Sequence, residues 1–326
     1  MMSTRLAILE LTTRHRLDAV KQTSLWRIAG LGEPPPNLLL LLRRGLMSLA
    51  ALLAGLGLIF LVASNLDALG RTEKFVVLQI LVAAACIGAA VFVRLRQGLA
   101  LLGLLVIGGL FAYFGQTYQT GADPWQLFAI WAALTLPLAL GARSDVIWSA
   151  WLIVASTGLA TWDAAQSGSS RFLSEHIDNH FLVASITTLL AISMSRPLAQ
   201  FTGAGKWAFN LANLLAVSSF VGIGTLALFK WEGSGSMSYF LTLLVLAAGA
   251  ASFTHRSLFD VTALSCLALA LVILLSGGIL RVMLQGSSTD LNAILFVMGI
   301  TVVSLMALAV WAILSLMRVQ RTGAAK

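Results

Sequence analysis

Residues 295–316, LFVMGITVVSLMALAVWAILSL, contain no charged residue and no proline. As a helix, a run of that length crosses about 30 Å of hydrocarbon. Lipid offers backbone N–H and C=O groups no partners, so a chain inside it is confined to helices or closed barrels. Barrel strands alternate apolar and polar side chains over roughly ten residues, and neither this run nor LLVLAAGAASF at 243–253 alternates. The fold class that follows is all-α, a polytopic transmembrane helical bundle. Composition agrees, because 59% of residues are hydrophobic and only 10% are charged, against about 25% charged in soluble domains.

Ten apolar runs can be marked, at 45–66, 75–93, 98–118, 125–142, 146–162, 181–195, 207–229, 239–253, 258–280 and 291–317. The sixth and eighth are the shortest. The chain divides into a helical region at 1–44, a five-span half at 45–162 and a second five-span half with a tail at 163–326. The first run lies behind a charged segment too long for a signal-peptide n-region, so it reads as a span. No fixed-period repeat is visible.

The net charge of +8 comes from scattered loop residues, which points to membrane insertion and not to nucleic acid. With ten spans and both termini in the cytoplasm, the outer loops hold Arg71, Lys74, Arg171, Lys230 and Arg281, and the other 16 of the 21 basic residues lie inside. Every inner loop keeps at least one of them, as the positive-inside rule requires. Trp125, Trp162, Trp207 and Trp231 fall near span ends, at the level of an aromatic belt.

Ahead of the first span, 4–15 and 17–31 read as two short helices. The second aligns Leu17, Val20, Ser24, Ile28 and Leu31 on one stripe, an amphipathic lead-in or a basic membrane-surface helix. The run Gly30-Leu31-Gly32-Glu33-Pro34-Pro35-Pro36-Asn37 ends it.

Residues 115–137, GQTYQTGADPWQLFAIWAALTLP, carry the most specific local pattern. Asp123 is placed to cap the fourth span, Pro124 takes the first helical position, and Gln126 can reach back as in a capping box. Pro137 frees a carbonyl near Ala133 and bends the helix. All of this suits a membrane hairpin. It also lets Gln116, Tyr118, Asp123 and Trp125 line a pocket open to the outside, and these four are the candidate ligand-binding residues. Asp123 fills the cap, so a polar uncharged or cationic group is expected there and not an anion.

This segment, with Ser64-Asn65-Leu66-Asp67-Ala68-Leu69 after the first span, resembles bacterial membrane proteins sharing domain of unknown function 2157. The matching positions are Gly115, Gln116, Tyr118, Asp123, Pro124, Trp125, Leu127, Phe128, Trp131 and Pro137, and the resemblance covers about residues 5–160. Leu66 stands where a Trp is common in that family. The resemblance implies a short helical N-terminal region followed by spans in a bacterial inner membrane, and it implies no activity.

Glu175-His176-Ile177-Asp178-Asn179-His180 puts two histidines at i and i+4, a metal-ligand spacing for which Glu175 or Asp163 could supply a third group. The preferred reading has Asp178 or Asn179 capping the sixth span, both histidines hydrated and no metal bound. Cys86 and Cys266 read as small buried hydrophobes. Gln79, Asn210, Asn213 and scattered Ser and Thr read as interhelical hydrogen-bonding groups. The stretch 233–239, GSGSMSY, reads as a flexible outer loop.

No Asp, Glu, Lys or Arg lies at the centre of an expected span, so proton coupling lacks its usual carrier. The acids Asp67, Asp123, Asp145 and Asp163 lie at helix ends. No serine-hydrolase, zinc-protease or nucleotide-loop motif occurs. The chain therefore reads as a non-enzymatic, multi-pass inner-membrane protein without a cofactor. Its partners are the lipid bilayer and a membrane or envelope protein that it binds or scaffolds, with no nucleic acid. A small-molecule or lipid transporter built from inverted five-span halves is the alternative.

Overall fold

The computed structural model describes the chain except for residues 1–3, 16, 30–37, 65–69, 119–120, 122, 168–176, 230–233, 256–257, 286–290 and 323–326. The described residues form helices and no strands. The chain is all-α, and it falls into two units, Met1–Ala50 and Ala51–Lys326.

In the first unit, α1 (Thr4–Arg14) and α2 (Ala19–Ile28) occupy the two expected positions. Asp18 Oδ1 accepts the Ala19 N–H at 2.7 Å and starts α2. Val20 and Ile28, from the expected apolar stripe, are exposed. The proposed break at Gly30–Asn37 and the element Asn65–Leu69 lie outside the described residues.

The ten expected spans correspond to α3 (Leu38–Ser64), α4 (Arg71–Val91), α5 (Arg96–Tyr118), α6 (Pro124–Ala142), α7 (Asp145–Ser167), α8 (Ile177–Ser193), α10 (Lys206–Phe229), α11 (Ser234–Ser252), α12 (Val261–Gln285) and α13 (Leu291–Thr322). A short helix, α9 (Ala199–Thr202), precedes α10. Eight of the ten are long and apolar enough to cross a membrane. The two outside that set are α7 and α8. Asp145 and Asp163 dilute the apolar character of α7, and the apolar part of α8, Asn179–Ser193, is short.

Two helices start five or more residues earlier than the apolar pattern indicates. α3 begins at Leu38 and runs through Arg43 and Arg44, because its leading leucines favour helix and long arginine stems can lie along an apolar surface. α11 begins at Ser234, so much of the stretch expected as a flexible loop is helical. Ser238 is buried there, and its carbonyl accepts Thr242 Oγ1 at 2.8 Å. This extension brings the eighth span to crossing length.

Within the second unit α10 is the hub, packing on α7, α8, α11 and α12. Ala208, Ala212, Ala216 and Gly224 are buried along it at multiples of four residues. Small side chains at that spacing let neighbouring backbones approach closely, which substitutes for the hydrophobic drive that lipid does not supply. One core cluster joins α10 to α5, α6, α7 and α8 through Leu101, Leu104, Ile147, Trp148 and Leu152. Another joins it to α11 and α12 through Phe220, Leu246, Leu267 and Leu274.

α7 runs antiparallel to α6. Trp151 Nε1 donates to the Ala132 carbonyl at 2.8 Å, and Gly158, further along α7, lies against Phe128, earlier in α6. Although less apolar, α7 thus lies along the neighbouring span. At the other edge α13 packs on α12, and the Gln320 amide donates to the Thr254 carbonyl at 2.9 Å.

Candidate functional site

The four candidate residues lie where α5 ends and α6 begins. Gln116, Tyr118 and Asp123 are exposed and Trp125 is half-buried. Asp123 has extended backbone at the N-cap of α6, with Pro124 in the first turn. Its carboxylate makes no capping hydrogen bond; its carbonyl accepts the Gln126 N–H at 3.0 Å. The side-chain cap expected from the sequence is therefore replaced by backbone geometry that Pro124 pre-sets. The carboxylate is left at the positive end of the helix dipole.

Tyr118 and Trp125 face different neighbours. Tyr118 packs with Phe114 (5.0 Å between centroids) and Phe75 of α4 (5.7 Å). Beneath them Phe75 meets Tyr113 at 4.8 Å, and the buried Lys74 places its ammonium 6.0 Å from the Tyr113 ring. Trp125 instead lines a cavity of about 390 Å³ with Trp151, Trp162, Leu182 and Ile186, between α6, α7 and α8. Its Nε1 is buried without an acceptor. The indoles of Trp131, Trp148 and Trp151 each donate to a backbone carbonyl, at 2.8 Å from Leu104, Thr202 and Ala132 respectively.

Pro137 lies inside α6 as expected. One turn before it, Thr135 Oγ1 donates to the Trp131 carbonyl at 2.7 Å and Trp151 donates to that of Ala132.

His180 is not simply hydrated. Its Nδ1 lies 2.7 Å from Asp163 Oδ2, and the two side chains are 10% and 21% exposed. The pair ties the end of α7 to the start of α8. Glu175 and His176 lie outside the described residues, and α8 starts at Ile177, which puts Asp178 and Asn179 in its first turn. Among the described residues no group of three metal-ligating side chains assembles.

The expected interhelical bonding of the asparagines is incomplete. Asn210 Oδ1 and Asn213 Nδ2 are buried without partners, and Gln79 is exposed on α4.

The densest polar junction is one that helix-end position alone did not reveal. Asp145, the first residue of α7, points its carboxylate at the start of α10. Oδ1 accepts the Gly205 N–H at 3.0 Å and the Ala208 N–H at 2.7 Å, and Oδ2 accepts the Trp207 N–H at 3.0 Å. The first N–H groups of any helix lack intrahelical acceptors; here a carboxylate from another helix supplies them. Around this junction Trp148 Nε1 donates to the Thr202 carbonyl and the Arg143 guanidinium to that of Gln200. Arg143 itself ends α6 in the left-handed conformation, φ 47°. Gly203 has φ +68°, and a Cβ on Gly205 would come 2.6 Å from Asp145 Oδ2. The sequence signal was the Gly203-Ala204-Gly205 run before α10, a place where backbone must pass close to something.

No curated protein and no solved structure matches the chain. Over residues 9–148, a segment that ends in the Arg143, Asp145 and Trp148 junction residues, the chain matches the family described as predicted membrane protein (DUF2157).

Proposed function

We propose that this is a non-enzymatic, multi-pass protein of the bacterial inner membrane, with both termini cytoplasmic, that binds or scaffolds a membrane or envelope partner. The observation that carries this reading is the Asp145 junction. Three backbone N–H groups on one carboxylate fasten α7, from the first half of the chain, to α10, from the second. Alternating access by halves that rock against each other would have to break charge-assisted bonds of about 1.5–3 kcal/mol each. A fixed bundle suits a platform better than a moving carrier.

The partner-facing residues are Gln116, Tyr118, Asp123 and Trp125 at the periplasmic end. Three of them, Gln116, Tyr118 and Asp123, are exposed and open to a partner.

The protein carries its own probes for a test. Cys86 in α4 and Cys266 in α12 are free, half-buried, and the only two cysteines in the chain. Spin labels on both, in lipid nanodiscs, are expected to give a single narrow distance distribution that a proton or sodium gradient leaves unchanged. Two distances that exchange under a gradient would replace the scaffold with the transporter.

A further inference from the structure

A cavity of about 500 Å³ lies between α8, α10, α11 and α12, within the size range of small-molecule sites. Its walls are apolar, built from Ala191, Ala216, Val217, Phe220, Leu246 and Leu267. From Phe209 to Phe220 it follows α10 for roughly 16 Å, at 1.5 Å per residue.

One polar group interrupts that wall. Asn213 is 6% exposed, and its amide nitrogen has no partner. The hydroxyls lining the cavity donate their hydrogens to their own helices. Thr188 donates to the Ala184 carbonyl, Ser195 to that of Ile192 and Ser252 to that of Gly249. The Asn213 N–H is therefore a donor on this wall that is not already spent on its own helix. A carbonyl carried in on an otherwise apolar chain would satisfy it.

The mouth lies where α8 ends and α12 begins. Arg196, more than half exposed, stands 3.8 Å from Asp260 Oδ2. That separation exceeds a hydrogen bond, so both charges can turn to a third group. Asp260 stays in place because its Oδ1 accepts the Thr262 and Ala263 N–H groups, at 2.9 and 3.2 Å. One fixed anion beside one cation matches a headgroup bearing both signs; a purely anionic headgroup would meet Asp260, and a purely cationic one Arg196. Asn213 lies seven residues into α10, roughly 10 Å below the start of the helix, at the depth of an acyl linkage beneath a headgroup.

We propose that this cavity binds one acyl chain of a zwitterionic phospholipid, with the phosphate at Arg196, the amine at Asp260 and the acyl carbonyl on Asn213. The site does not rest on the scaffold reading, and mass measurement of bound lipid separates it from the spin-label test.

The experiment is native mass spectrometry of the full-length protein in detergent, titrated with lysophosphatidylethanolamine, lysophosphatidylglycerol or a monoacylglycerol of the same chain length. The expected result is one lysophosphatidylethanolamine per chain, bound about tenfold tighter than the monoacylglycerol and more tightly than lysophosphatidylglycerol. Asn213→Leu is expected to weaken all three about tenfold while keeping their order. Arg196→Gln with Asp260→Asn is expected to remove the order, with the Asn keeping the α12 cap. Gly249→Leu, which fills the cavity from α11, provides a second block should Asn213→Leu not fold. Equal binding of the three lipids to the native chain, or undiminished binding to every foldable cavity variant, overturns the proposal.

Discussion

Asp145 Oδ1 accepts the Ala208 N–H at 2.7 Å across 63 positions of sequence, and the same carboxylate also takes the N–H groups of Gly205 and Trp207. Asp145→Ala leaves those donors without their acceptor. It is expected to lower stability by about 4 kcal/mol or more, well beyond an ordinary helix cap, because three charge-assisted bonds go at once. Asp145→Asn keeps one carbonyl acceptor and should lose about half as much. Thermal unfolding in detergent measures both, and an unchanged melting temperature for Asp145→Ala would refute the junction.

Gly205→Ala pushes a methyl group to 2.6 Å from the Asp145 carboxylate. It should destabilise by about 1–3 kcal/mol, and the loss should be less than additive with Asp145→Ala, because both changes break one contact. Fully additive losses in the double mutant would mean that the two positions act separately.

Reporter fusions test the topology. Those after Arg96, Arg143, Arg196, Arg256 and Arg318 are expected to read cytoplasm, and those near Gly70, Gly121, Gly168, Gly233 and Gly286 the outside. The fusion near Gly168, between α7 and α8, is the most informative, because those helices are the two outside the set of clear spans. A cytoplasmic signal there would mean that the α7–α8 pair enters and leaves on one side.

His180→Ala is expected to lower stability by about 1 kcal/mol, through loss of the Asp163 bond, and a chelator should add nothing to that loss. Elemental analysis of the native protein is expected to find no stoichiometric zinc. One metal per chain, lost on His180→Ala, would turn the pair into part of a metal site.

Asp123→Ala separates structure from recognition cleanly, because the carboxylate makes no capping bond. Stability should change by less than about 0.5 kcal/mol, whereas complementation of a deletion strain should fail, as it should for Tyr118→Phe and Gln116→Ala. Full complementation by all three variants at normal abundance would reduce the segment to a hairpin.

The positions of the ten helices were legible because apolar runs report burial in lipid directly. Their ends were less so. Leu38–Leu42 read as a flank because Arg43 and Arg44 follow, and 234–238 read as a loop because it is Ser- and Gly-rich. The candidate residues Gln116, Tyr118, Asp123 and Trp125 were found from local pattern, yet that pattern could not show that Tyr118 leans on Phe75 while Trp125 lines a separate cavity. Asp145 stood in view as a helix-end acid. Its acceptors' donors lie 60 to 63 residues downstream, and no spacing rule links a side chain to backbone groups that far away.

That separation sets an order of events during synthesis. Chains emerge N-terminus first, so α7 leaves the ribosome with Asp145 before Gly205, Trp207 and Ala208 exist. Until they follow, a carboxylate waits at the start of α7 with its acceptor oxygens unused, and the small-residue face of α10 is absent from the bundle. The half-made protein is therefore in its most vulnerable state just as the whole family-matched segment has been completed. Chains stalled between Trp148 and Ala208 should be preferred substrates for membrane quality-control proteases, and chains extended far enough to release the whole of α10 should survive.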